Sequence, residues 1–182
     1  MAVRPIHLLG SPSLRERAAP IVRVDDEVRR LVADLFETMR AEAGVGLAAN
    51  QVGIALRVAV VQTDDDAPIV LIDPEIVERE GTITGEEGCL SIPEIFADVA
   101  RSARVVVETT TLDNERVHLD VSDLTARAVQ HEIDHLDGLL FLDRLSPLKR
   151  RMLLKKWRKL RQGETGYLKE VSRQKPKQSA RL

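Results

Sequence analysis

The sequence predicts an α+β fold: antiparallel or mixed β-sheets packed around a central helix that carries Gln130-His131-Glu132-Ile133-Asp134-His135, with one helix near the N-terminus and another near the C-terminus. Three observations predict it. Apolar residues recur with helical period at Val28, Leu31, Val32, Leu35, Phe36 and Met39. β-Branched runs separated by turn residues fill the middle of the chain. Ser146-Pro147 then offers an N-cap followed by proline at the first helical position. With 182 residues there is room for one domain with a full core, so residues 1–163 are expected as a single unit and 164–182 as a basic, flexible tail.

Pro5, Pro12 and Pro20 predict an extended segment over residues 1–24, wrapped on the body. Asp25 or Asp26 caps the first helix, whose outer face is Arg29, Arg30, Asp34, Glu37 and Arg40, and Gly44 ends it. Residues 44–53 read as an apolar loop with glycines at 44, 46 and 53 and one long amide, Gln51; Val45 and Gly46 are suited to lie along an extended peptide. The plainer reading is a tight helix-to-strand connection. It lacks the Lys-Ser/Thr ending of a phosphate loop.

Strands follow at 57–62 and 69–72, split by an acidic turn at Asp64-Asp65-Asp66, then a half-exposed strand at 75–80, a short one at 82–84, and a hairpin of 104–112 with 116–121. Ser122 or Asp123 starts the central helix, and Gly138 suits the position just past its end. In the final helix Leu148, Met152, Leu153, Trp157 and Leu160 fall broadly on one side with lysines and arginines around the rest, and disorder is expected from about Ser172.

A single cysteine, Cys89, excludes an internal disulfide and fits a reducing cytosol. The first ten residues hold no apolar run of signal-peptide or membrane length, so the chain is expected to be cytoplasmic with no membrane partner. Residues 147–182 hold 13 lysines and arginines against 2 acidic residues, which leaves 14 basic against 27 acidic ahead of them. An acidic body with a basic end suggests a polyanionic partner for that end, or a solvated basic helix.

Two histidines four apart on a helix lie about 6 Å apart along its axis and roughly 40° apart around it, so His131 and His135 can share one metal ion. Glu132 then hangs beside the ion, placed to take a proton from a water there. The third ligand must come from elsewhere, and a thiolate suits zinc or iron beside imidazoles; Cys89, in a glycine- and proline-bracketed turn, is the candidate. The bland alternatives are a charged helix face and a small buried cysteine. Leu124 and Ala128 extend the histidine face by helical spacing, which predicts an apolar pocket beside the metal lined by Val45, Leu90, Leu124 and Ala128.

Three stretches together, Gly44-Val45-Gly46-Leu47-Ala48-Ala49-Asn50-Gln51, Glu87-Gly88-Cys89-Leu90-Ser91 and Gln130-His131-Glu132-Ile133-Asp134-His135, resemble the three motifs of the peptide deformylases, complete and in order. The resemblance spans roughly residues 4–146; residues 94–99 do not map cleanly and the end of the chain is uncovered. It implies hydrolysis of the N-formyl group from the initiator methionine of nascent polypeptides, with one Fe(II) per chain expected and Zn(II), Ni(II) or Co(II) able to occupy the site. Carried over, Cys89, His131 and His135 are ligands and Glu132 is general base and then acid. Gln51 and the backbone N–H of Leu90 stabilise the oxyanion. From the loop and the helix spacing, not from the resemblance, Val45, Gly46, Leu124 and Ala128 are expected to contact the substrate, and the charge of the basic helix makes it a candidate for docking on ribosomal RNA. Rival readings are a zinc endopeptidase, a structural metal module and a cysteine hydrolase.

Overall fold

The structure, a computed structural model, describes residues 2–63 and 67–172. The acidic turn expected at Asp64-Asp65-Asp66 and the disorder expected beyond Ser172 lie outside the described residues.

In chain order the elements are β1 (Ile6–His7), α1 (Asp26–Ala41), β2 (Gly46–Ala48), β3 (Val58–Val61), β4 (Ile69–Ile72), β5 (Glu75–Glu80), β6 (Ile83–Glu87), β7 (Ala97–Arg101), β8 (Arg104–Thr110), β9 (Arg116–Ser122), α2 (Asp123–Leu136), α3 (Pro147–Leu160) and β10 (Leu168–Lys169). The sheets run β2-β3-β4 and β5-β8-β9, with two-stranded β6-β7 and β1-β10, and every named pairing is antiparallel. The fold is thus α+β, with α2 at its centre. Ala126, Ala128, Val129, Ile133 and Leu136 of α2 pack with Ala48, Ala59, Val61, Val105 and Val107 from both three-stranded sheets.

α1 forms as its sequence dictates. The Asp25 carboxylate accepts from the N–H groups of Glu27 and Val28 at 2.9 and 3.0 Å, a cap worth about 1 kcal/mol. The apolar stripe of α1 covers Leu47, Val58, Val60 and Ile72. Its end differs from expectation: Ala43, not Gly44, takes the left-handed backbone, at φ 53°. Gly138 does hold such a position past α2, at φ 74°, and a Cβ there would stand 2.6 Å from the Arg15 carbonyl oxygen.

Three stretches fold otherwise than the sequence reading expected. Residues 44–53 are not a loop: Gly46–Ala48 pair with Ala59–Val61, and Ala49–Val52 form a 3-10 turn. The strand Ala97–Arg101 was not anticipated, although its burial alternates strictly. The segment beyond Gly163 does not hang free as far as it is described, because Leu168 and Lys169 pair with His7 and Ile6, Leu8 donates to the Tyr167 carbonyl at 2.6 Å, and Lys169 pairs with Glu42. The apolar residues of α3 are also divided. Leu153, Leu154 and Trp157 pack on Leu8, Ile92 and Phe141, while Leu148 and Met152 stand 67% and 64% exposed.

Candidate metal centre

Cys89 lies in the connection from β6 to β7, whose close antiparallel pairing of Glu87 with Ala97 holds the turn over α2. His131 and His135 come one helical turn apart on α2, both buried. Cys89 Sγ is 3.2 Å from His135 Nε2, and one ligand atom from each of the three residues lies within 4.8 Å of the others. A tetrahedral ion with ordinary Zn–S and Zn–N bonds would separate its ligand atoms by about 3.4–3.6 Å, so modest adjustment closes this set around one cation. Among the described residues this is the one group of three histidine, cysteine or acidic side chains so gathered.

The surroundings fix how each ligand is presented. His131 Nδ1 faces Glu87 Oε2 at 3.2 Å, which leaves the Nε2 lone pair for an ion, and the Phe141 ring stacks on the imidazole at 6.4 Å between centroids. Burial disfavours the His131 cation, yet hydrogen bonds to Cys89 and Glu87 raise its pKa to about 10, a measure of how negative this space is. Burial alone would raise the Glu87 carboxyl, but its hydrogen bonds with His131 and Arg101 hold it at about 2. His135 is driven well below the usual range by burial and by His131. Buried anionic charge beside the uncharged His135 imidazole is the environment a divalent cation completes, its binding displacing the proton that His131 otherwise holds.

Glu132 is buried, and its Oε2 has no hydrogen-bond partner. Burial pushes its pKa up to about 7, against the opposing pull of His131 and Arg101, so this carboxylate can gain and lose a proton near neutrality. A Cβ on Gly46 would sit 2.3 Å from Glu132 Oε1. Gly46→Ala is therefore expected to displace the carboxylate and reduce turnover by on the order of tenfold or more. The check is kcat at unchanged metal content; a variant with wild-type kcat would show that the position tolerates a methyl group.

Gln51 is aimed by its own backbone. Its Oε1 accepts from the Ala48 N–H at 2.8 Å, which turns its Nε2 toward Cys89 Sγ at 3.5 Å and Ser91 Oγ at 3.1 Å. Asn50, beside it, donates to the His135 carbonyl and ties the 3-10 turn to the end of α2. Val45, Gly46, Gln51, Cys89, Leu90, His131 and Glu132 share one crevice with about 20 Å3 for the centre of a water-sized group, little more than one water requires. Larger open grooves of about 520 and 1060 Å3 lie along the Ile133 and Asp137 face of α2, and Cys89 does not line them.

Residues 3–151 match the polypeptide deformylase family. The chain belongs to the peptide deformylase family. It is 48% identical over 167 residues to the peptide deformylase of Alkalilimnicola ehrlichii, covering 90% of this chain and 94% of that one. With the peptide deformylase of Acidobacterium capsulatum it shares 46% over 169 residues, covering 90% and 99%. The fold is similar to the crystal structure of the Legionella pneumophila peptide deformylase, with a TM-score of 0.83 at 39% identity over 91% of this chain and all of that one. It is similar also to that of Ehrlichia chaffeensis in complex with actinonin, with a TM-score of 0.85 at 34% identity and the same coverage.

In this deformylase the expected site residues are partly assembled. Val45, Gly46, Gln51, Leu90, Glu132, Cys89 and His131 meet at the crevice, and His135 joins the last two through its Nε2, 3.2 Å from Cys89 Sγ. Leu124 and Ala128 do not line it: Leu124 is 45% exposed in the first turn of α2, and Ala128 is fully buried against the sheets. The sequence reading assigned nothing to Glu87, Arg101 or Asp134, which the fold joins behind the histidines. Glu87 opens the cysteine motif and Asp134 sits inside the histidine motif, so two of the three were in view; Arg101 carried no local signal.

Proposed function

We propose that this deformylase removes the N-formyl group from N-formylmethionyl nascent peptides in the cytoplasm, with Cys89, His131 and His135 holding one Fe(II), a position Zn(II), Ni(II) or Co(II) also fits. The observation that carries the reading is the meeting of those three ligand atoms within 4.8 Å beside an unpartnered, buried Glu132 oxygen. A cation held there supplies a Lewis-acid pole that polarises the formyl carbonyl and acidifies water. Glu132 accepts a proton as water adds to the formyl carbon and passes it to the departing amine, a task suited to a carboxyl that titrates near 7. The Gln51 amide and the Leu90 N–H donate to the developing oxyanion. Supporting this role for Gln51, its Nε2 already points at Cys89 while its Oε1 is occupied.

The narrow crevice accounts for acyl selectivity, since a formyl carbon bears only hydrogen where an acetyl carbon adds a methyl. Val45 and Gly46 flank the scissile group, and Leu90, on the same crevice, offers apolar surface to the methionine side chain. The test is formate release from a formyl-methionyl peptide by protein loaded anaerobically with Fe(II). The expected result is formate without acetate from the acetylated analogue. Cleavage of an internal peptide bond, or no formate, would contradict the proposal.

For α3 we propose docking on ribosomal RNA. Lys149, Arg151, Lys155, Arg158 and Lys159 are available beside the exposed Leu148 and Met152, and phosphate contacts reward such a surface. Charge reversal at Arg151, Lys155 and Lys159 is expected to weaken sedimentation with ribosomes and flatten its salt dependence, with peptide deformylation in solution unchanged. Ribosome association that ignores both the substitutions and salt would refute the docking.

A further inference from the structure

Behind the metal centre, on the far side of the histidines from the crevice, four charged side chains are buried and the proposed reaction uses none of them. They are Glu87, Arg101, Arg127 and Asp134, none more than 6% exposed. Buried ion pairs are a poor source of stability, because well-packed apolar residues of similar volume often serve as well or better, so their presence here calls for another account.

Arg101 is the hub. Its Nε and Nη2 take both oxygens of Glu87 at 2.6 and 2.9 Å, and its Nη1 takes Asp134 Oδ2 at 2.8 Å. Arg127 contributes one longer contact to Glu87, at 3.3 Å, and the same Nη2 donates to the carbonyls of Gly85 at 2.7 Å and Glu86 at 3.4 Å. Arg144 braces Asp134 from the surface at 2.5 and 3.0 Å. Glu87 is the last residue of β6, two before Cys89, and its Oε2 faces His131 Nδ1 at 3.2 Å. Asp134 immediately precedes His135. One guanidinium on β7 therefore grips both the strand end that delivers the cysteine and the helix that delivers both histidines.

From this geometry, and resting on the metal reading above, we infer that Arg101 is a positioning residue for the metal centre. Through Glu87 it holds the His131 ring with Nε2 toward the ion, and through Glu87 and Asp134 it keeps the Cys89 turn in register with α2. A planar fork with donors in two directions meets both carboxylates at once. The lysine ammonium, a single point at the end of a flexible stem, does not. Carboxylates that hydrogen-bond a ligating imidazole set its tautomer and basicity, and their loss costs ten- to a hundredfold in metal affinity.

The test is Co2+ binding to Arg101→Lys, measured by chelator competition and by the visible and thiolate charge-transfer absorption of the loaded protein, beside wild type and Cys89→Ser. Arg101→Lys is expected to bind Co2+ about ten- to a hundredfold more weakly. Its cobalt spectrum should be altered, and at saturating Co2+ kcat should fall while KM for a formylated peptide stays within about twofold. Affinity and spectrum equal to wild type overturn the inference, even if the melting temperature drops, since a merely structural role moves only the latter. If Arg101→Lys does not fold, Glu87→Gln carries the same expectation and the same refutation. Wild-type protein that takes up no Co2+, or Cys89→Ser that binds it as tightly, overturns the metal reading itself and the inference with it.

Discussion

Glu132→Ala is expected to lower deformylation by on the order of a thousandfold while the protein stays folded and keeps its metal, the scale of effect when a positioned proton carrier is lost. The expectation rests on three features of one carboxylate. Its Oε2 has no partner in the protein, so that oxygen is available to a proton; burial brings the carboxyl to about 7, so it can both take and return one; and Gly46 lets the backbone of β2 close over it. Formate release, metal content and thermal melting measured together separate chemistry from structure. Activity within tenfold of wild type would mean that Glu132 does not carry the proton, and would favour a structural role for the metal.

Cys89→Ser is expected to abolish stable metal binding and to cost activity by on the order of a thousandfold or more, because a hydroxyl is a harder, weaker donor than a thiolate. The sulfur is held by position: it lies 3.2 Å from His135 Nε2 and 3.5 Å from the Gln51 amide, in a turn fixed by the β6-β7 pair. Chelation of the wild-type protein should produce the same loss, reversed by adding metal back. This pairing of experiments also addresses Cys89 as a nucleophile, since a cysteine hydrolase loses activity on substitution but keeps it through chelation. Metal analysis after gel filtration is the check, and one equivalent of metal retained by Cys89→Ser would contradict the ligand assignment.

What could be read from the sequence was what local chemistry writes into it. The 3.6-residue stripe of α1 with Asp25 ahead of it, the proline-led start of α3, and the hairpin around residues 113–115 all report short-range constraints, and all three formed. The candidate ligands and Glu132 were legible because the histidine spacing is itself helical geometry and the chain has one cysteine. β2 was hidden by its brevity and its glycine: three buried residues show no alternation, and only pairing with β3 makes them a strand. The strap of β10 on β1 joins the two ends of the described chain and leaves no periodic trace in either. Arg101 was invisible for the same reason, since its partners lie 14 and 33 residues away and nothing near it distinguishes a buried arginine from a surface one. Helical spacing put Leu124 and Ala128 on one face with the histidines but could not say that Leu124 stands exposed while Ala128, one turn on, is packed against the sheets.

X-ray absorption at the metal edge of the loaded, active protein is the most direct test of the claim that one cation joins Cys89, His131 and His135. A first shell with one sulfur at about 2.3 Å and imidazole nitrogens at about 2.0–2.1 Å is the predicted result for the zinc form. A shell of oxygen and nitrogen alone, with no sulfur scatterer, would contradict it.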